Sequence, residues 1–236
     1  IAKETGYISR SFGLLDAFDN ADCLPALVGK VNAWLEVEGW TNRAGVKGYQ
    51  QFSAASGLAG AAAFVQYVWQ LDSVRPWAEL SHIGDNTPAY VWAIPKIDAL
   101  LPHAKFIHMV RDPRDVAASM LKMRFGANDA VTAALDWAGN LGAWLVSERL
   151  VPEHRRLEIR YEDLCADAEG TLARVARLLG IPEAQVKPAL DQHAQGAEST
   201  AGEFATVAGK AHHQALVCPV SRKQVGRHPR DLTPRQ

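Results

Sequence analysis

The stretch Lys105-Phe106-Ile107-His108-Met109-Val110-Arg111-Asp112-Pro113-Arg114-Asp115-Val116-Ala117-Ala118-Ser119 decides the fold. Its first half is apolar and β-rich and too short for a buried helix, which predicts a buried strand ending at Arg111. Asp112 follows as a helix cap, and Pro113 falls in the first helical turn, where its missing N–H costs nothing. Asp115 adds a carboxylate at the positive end of the helix dipole. A strand that turns at once into a helix puts Arg111 at the carboxyl edge of a sheet, where open α/β sheets bind ligands. Ser119 lies about two turns beyond the cap, on the stripe shared with Asp112 and Asp115 or Val116. One cation and one hydroxyl near a helix start suit a phosphate. The same pattern also describes a well-capped junction whose Arg111 and Arg114 pair with local carboxylates.

Working outward, alternation of strand and helix continues on both sides. Upstream, Leu80-Ser81-His82-Ile83-Gly84 reads as a short strand. Thr87 follows as a cap, Pro88 at the first helical position, and a helix from Ala89 to Leu101 interrupted at Pro95. Downstream come a long helix from about Asp129 to Leu150, a strand Arg156–Arg160, and a helix from about Ala168 to Leu179 stopped by Gly180. Trp137 and Trp144 share a face of the long helix and read as core. Alternating strands and helices imply a parallel sheet. Residues 10–79 are different, with helical spacing in Ser9–Phe18, Leu24–Trp40 and Val46–Leu71. The small-residue run Ser56–Ala63 is no phosphate loop, since no Lys-Ser/Thr follows it; small residues there permit close helix packing. Most of the aromatics of this region, Trp34, Trp40, Tyr49, Phe52, Phe64, Tyr67, Trp69 and Trp77, read as core, with some available to line a pocket. The tail from Gln195 onward is turn-rich and increasingly basic. The expected organisation is one α/β domain over residues 1–236, with a helical insertion at 10–79 and a sheet-bearing region at 80–236.

Composition sets the outer bounds. The chain has 236 residues, 48% hydrophobic and 22% charged, an ordinary globular make-up large enough for a sizeable core. A net charge of −1 gives no global pull toward nucleic acid or an anionic membrane, so any anion site is local. The 3 cysteines, Cys23, Cys165 and Cys218, lack metal or disulfide spacing and fit a reducing, cytoplasmic setting. No apolar run is long enough to span a membrane, and no signal peptide is visible.

Arg111 with Ser119 eight residues on, at a strand-to-helix junction, resembles the 3′-phosphate motif of sulfotransferases that use 3′-phosphoadenosine-5′-phosphosulfate (PAPS). Three further stretches agree in order and spacing. Gly84-Asp85-Asn86-Thr87-Pro88 followed by Leu101–Phe106 is similar to the segment before that motif in the bacterial and tyrosylprotein branches. Ile159–Leu164 with Leu178-Leu179-Gly180-Ile181 is similar to the later strand and helix, whose tyrosine contacts adenosine. Pro219-Val220-Ser221 through Val225-Gly226-Arg227 is similar to the C-terminal loop that closes over the nucleotide with a basic residue.

The resemblance implies a P-loop-NTPase-like parallel sheet flanked by helices, with the helical insertion serving the acceptor. It also implies sulfuryl transfer from PAPS, with 3′,5′-adenosine bisphosphate (PAP) as product and no metal. Arg111 and Ser119 would hold the phosphate, Tyr161 the nucleoside, and Arg227, with Arg222 and Lys223 as weaker candidates, the phosphate from the other side. A strand-end surface tyrosine and a solvated basic tail are the competing readings of these residues. Ala2-Lys3-Glu4-Thr5 is similar to the Glu-Thr pair of tyrosylprotein sulfotransferases, which makes Glu4 the candidate base; His82 and Asp85 are fallbacks, and His108 reads as a core histidine. Two departures stand out. The family's first strand and phosphosulfate loop are expected before Ile1, and Asn86 stands where several relatives carry a lysine.

The acceptor, a small molecule, glycan or peptide bearing a hydroxyl or amine, is not specified by the sequence, and neither is the oligomeric state. Two other classes stay open: a nucleotide kinase on a P-loop scaffold, and an inert interaction module that keeps the fold.

Overall fold

The computed structural model describes residues 22–37, 43–71, 76–123, 126–200, 222 and 225–232. The chain divides into two compact units, Ile1–Ala104 and Lys105–Gln236.

The first unit is helical. Helix α1 spans Leu24–Val37, α2 Val46–Ser56 and α3 Gly60–Leu71. The periodic run from Val46 to Leu71 is therefore two helices, because Gly57 adopts φ 70° and its N–H bonds back to the carbonyl of Ser53. A left-handed residue of this kind ends a helix at little cost only when it is glycine. Small residues do allow close packing, although at Gly48: a Cβ there would lie 2.3 Å from the Tyr67 hydroxyl oxygen. Tyr67 in turn accepts from the Gly45 amide at 3.1 Å, and the Tyr49 hydroxyl donates to the Gly60 carbonyl at 3.2 Å. Phe64, Val65 and Val68 are fully buried beside these rings, and Val31 and Leu35 of α1 are almost as deeply buried.

Leu80–Gly84 takes no part in a sheet among the described residues. A short alternating run has no ladder of its own, and its conformation depends on a neighbour. Asp85 organises the segment instead, accepting from the Trp69 indole at 3.0 Å and from the Thr87 amide and hydroxyl at 3.0 and 2.7 Å. Thr87 thus precedes the turn Pro88–Trp92 without capping it through its side chain. That turn is 3-10, and the following helix α4, Ile94–Leu100, carries Pro95 in its first turn. The interruption falls at Ala93, so the proline starts a helix there rather than breaking one.

The second unit holds the sheet. Strand β1, Phe106–Val110, runs parallel to β2, Arg156–Arg160, with Val110 opposite Arg160. Between them lie α5, Pro113–Met120, and α6, Ala130–Ser147. Asp112 caps α5 by accepting from the Arg114 amide at 2.9 Å, and Asp129 caps α6 by accepting from the Thr132 amide at 2.8 Å. After β2 come α7, Tyr161–Ala166, α8, Ala168–Leu179, ended by Gly180 at φ 76°, and α9, Val186–Thr200, which continues past the expected onset of turns at Gln195. A last short helix, α10, spans His228–Asp231. Trp144 of α6 is fully buried and stacks on His108 with ring centroids 4.5 Å apart, covering one face of β1; Ile107 and Met109 on the other face are exposed. His108 also meets Glu158 Oε2 at 3.1 Å, as a satisfied interior histidine should. This is the parallel α/β arrangement with flanking helices that the sequence implies.

Candidate active site

The parallel register builds the site. Val110 pairs with Arg160, so the next residues of the two strands, Arg111 and Tyr161, emerge side by side at the carboxyl edge. The Arg111 guanidinium lies over the Tyr161 ring, 4.8 Å from its centroid. One residue further, the Asp112 amide donates to Glu162 Oε1 at 2.9 Å and stitches the two strand ends together. Trp137 of α6 donates its indole N–H to the Arg111 carbonyl at 3.0 Å. It is half-buried and belongs to this edge, in contrast to Trp144 in the core. Position in the helix separates them: Trp144 faces mid-strand, whereas Trp137, about two turns earlier, comes level with the strand's end.

Burial, the largest influence, together with Cys165, pushes the Tyr161 phenol up, against the opposing charge of Arg111. The phenol therefore stays neutral at physiological pH and keeps a hydroxyl to donate. The two arginines of the junction part company. Arg114 is locked to Asp112 by two bonds, Nε to Oδ1 at 3.0 Å and Nη2 to Oδ2 at 2.6 Å. That pairing, with its side-chain bond first among the causes, lowers the Asp112 carboxyl to about 2. The well-capped-junction reading thus describes Arg114, and it holds in part for Arg111, which pairs with the local carboxylate Asp115 (Nη2 to Oδ2 at 3.8 Å) while its guanidinium lies over Tyr161 at the sheet edge.

Asp115 is the feature the sequence did not announce. It is 1% exposed, and its place in the first turn indicated only a carboxylate serving the helix dipole. Oδ2 accepts from the Gly226 amide at 2.6 Å, and Oδ1 accepts from the His228 amide at 2.9 Å and meets His228 Nδ1 at 3.0 Å. Burial opposes its ionisation most strongly. The His228 amide and imidazole, the Gly226 amide and the charge of Arg111 together outweigh that and hold the carboxyl below its usual range. An ionised carboxylate can only accept, so His228 Nδ1 carries the proton.

These bonds lay the segment 225–232 along α5. Asp115 of α5 and Lys122, in the turn just after it, both meet this segment, and Ser119 lies between them in the chain. Arg227 pairs with Asp231, and Asp231 also pairs with Lys122 at 3.0 Å. These two cations lower the Asp231 carboxyl, the bond from Lys122 most. Lys122 escaped the sequence reading, although it stands three residues beyond Ser119. Ser119 is half-buried, and no partner of its hydroxyl is seen among the described residues.

The structure thus brings Arg111 beside Tyr161, and the backbone around Arg227 onto the helix that carries Ser119. Arg222 lies apart from this group, exposed and reaching the Ala166 carbonyl at 3.5 Å. Glu4 and Lys223 lie outside the described residues. In the first unit His82 is exposed and meets its neighbour Ser81 in a side-chain contact at 3.2 Å, while Asp85 is engaged with Trp69 and Thr87.

A parallel sheet whose carboxyl edge presents an arginine, an aromatic ring and a capped helix defines an open α/β fold, in which that edge is where ligands are generally bound. The model of the sulfotransferase family matches residues 23–185, and the chain belongs to that family. Among solved structures it is similar to the sulfotransferase domain from the curacin biosynthetic pathway, at 17% identity and a TM-score of 0.47, covering 77% of this chain and 64% of that one. It is also similar to the sulfotransferase domain from the Synechococcus PCC 7002 olefin synthase, at 22% identity and a TM-score of 0.45, covering 76% of this chain and 60% of that one. The chain therefore spans less than two thirds of the length of either domain. No curated protein matches it.

Proposed function

We propose that this chain provides the nucleotide-holding part of a PAPS-dependent sulfotransferase, passing a sulfuryl group to a hydroxyl or amine of a small-molecule, glycan or peptide acceptor. The observation that carries the reading is the placement of Arg111: at the sheet edge, laid over Tyr161, with Ser119 on the adjoining helix.

The donor is a mixed anhydride that supplies an already activated sulfuryl group. What this chain's residues do is hold its nucleotide end. Arg111 offers a planar fork of donors to a phosphate dianion, and the Ser119 hydroxyl adds another. Each charge-assisted bond of this kind contributes about 1.5–3 kcal/mol. Tyr161 supplies a flat face and a neutral hydroxyl for the nucleoside. Arg227 approaches from the C-terminal segment, and Lys122 adds a cation three residues beyond Ser119. Arg222 and Lys223 are further candidates on that segment. Glu4 is assigned the base that takes the acceptor proton as the acceptor attacks, a role worth roughly 10²–10⁴-fold when the carboxylate is well placed. Metal ligands form no part of the proposal, since arginines and oriented donors suffice to stabilise the departing phosphate.

The reading is tested by calorimetric titration of the full-length protein with PAP and, separately, with ATP–Mg²⁺. Binding of PAP in preference to ATP supports it. Preference for ATP points to a kinase, and silence toward both points to an inert module. In the same protein, Glu4→Gln is expected to lose turnover and keep PAP binding.

A further inference from the structure

We propose that Asp115 is a positioning residue that sets where Arg227 stands, by holding the backbone on both sides of it. The proposal rests on the reading of the site given above and names a part that reading does not use.

The geometry is specific. Gly226 and His228 flank Arg227, and both their amides donate to Asp115, at 2.6 and 2.9 Å. Pinning the residues before and after leaves Arg227 little freedom except in its side chain. The imidazole of His228 adds a further bond to Oδ1 at 3.0 Å, and Arg111 Nη2 stands 3.8 Å from Oδ2. The backbone of Arg227 is thereby referenced to one fixed point. A helix cap or a surface ion pair does not explain this arrangement. The carboxylate is 1% exposed, and it spends its lone pairs on a segment more than a hundred positions away. Burying a carboxylate is costly unless its acceptor sites are filled, so the segment and the helix have to dock together or not at all. Gly226 fits the same role. It sits at φ 65°, a conformation that brings its amide onto Oδ2 and that other residues adopt only under strain.

An amide in place of the carboxylate keeps the shape but turns one acceptor into a donor facing a donor. Asp115→Asn should therefore raise hydrogen exchange at the Gly226 and His228 amides at least tenfold in nucleotide-free protein, and weaken PAP binding by about 10–100-fold. The decisive comparison is the background. If Asp115 acts through Arg227, then Asp115→Asn added to Arg227→Ala should weaken PAP binding by less than threefold more. A general structural role would weaken binding equally in both backgrounds and overturn the proposal, as would unchanged exchange at the two amides. His228→Ala removes one bond and leaves α5 untouched. It should weaken binding about threefold in the wild-type background and not at all beside Arg227→Ala, and it serves if Asp115→Asn does not fold. A wild-type protein that fails to bind PAP sinks the site reading and this proposal with it. A wild type that binds while Asp115→Asn and His228→Ala bind equally well sinks only the proposal.

Discussion

The two units of this molecule are held together by opposite means. In the first, Tyr49, Phe52, Phe64 and Tyr67 form a tilted cluster with ring centroids 5.4–6.3 Å apart, and the polar groups at its margin bond to nearby backbone. In the second, the decisive contacts around the sheet edge are charged and fall in two sets of three: Arg111, Asp115 and His228, and Arg227, Asp231 and Lys122. Apolar packing is insensitive to pH and salt, and tolerates change if volume is conserved. A charged set is directional and tied to protonation. The difference teaches where each kind of substitution should be felt: volume in the first unit, charge in the second.

The largest effect should come from volume. Phe64→Ala removes a fully buried ring and is expected to lower stability by about 3–5 kcal/mol, measured by denaturant unfolding. Its PAP affinity, measured under conditions where it stays folded, should match the wild type; a parallel loss of affinity would break the contrast. Next comes Arg111→Ala, which should leave the melting temperature within a few degrees and reduce PAP binding at least 100-fold by calorimetry. Ser119→Ala sharpens the same point at smaller scale, with binding down about fivefold, or about 1 kcal/mol. Acid should also separate the units. Asp112, Asp115 and Asp231 are all held below the usual carboxylate range when folded, Asp112 at about 2 against 3.8 for a free aspartate. The folded form therefore binds fewer protons than the unfolded form between those values. The stability they contribute is fully present above pH 4 and is lost as pH falls toward 2. Tryptophan fluorescence of Trp137 and Trp144 should report that loss, and aromatic signals from Tyr49 and Tyr67 should persist to lower pH. The smallest effect belongs to Trp137→Phe, which deletes the bond to the Arg111 carbonyl and should weaken PAP binding about two- to threefold.

Much of this architecture was readable in advance, and the reasons differ by element. β1, β2, the caps Asp112 and Asp129 and the stop at Gly180 are written in local chemistry, because each depends on residues within a few positions. The strand expected at Leu80–Gly84 failed because a strand needs a partner, and no local signal supplies one. The division at Gly57 was present in the letters but hidden by continuous apolar spacing around it. At the site, Arg111 and Tyr161 could be paired once the strands were parallel and in register. Lys122 carried a weak signal through its spacing from Ser119. Asp115 carried none of its true role, since its partners Gly226 and His228 are 111 and 113 positions away.

That separation also bears on how the protein comes into being. A ribosome adding roughly 5–20 residues per second needs about 6–20 s to travel from Asp115 to the partners that silence its charge. Throughout that interval the helix bearing Ser119 can form, but its inner carboxylate faces water and only Arg111 stands near it. The bonds between Asp115 and the segment 225–232 therefore form late relative to α5 itself. A nascent chain should lack this docked arrangement until residues 225–232 have left the exit tunnel and folded back onto α5.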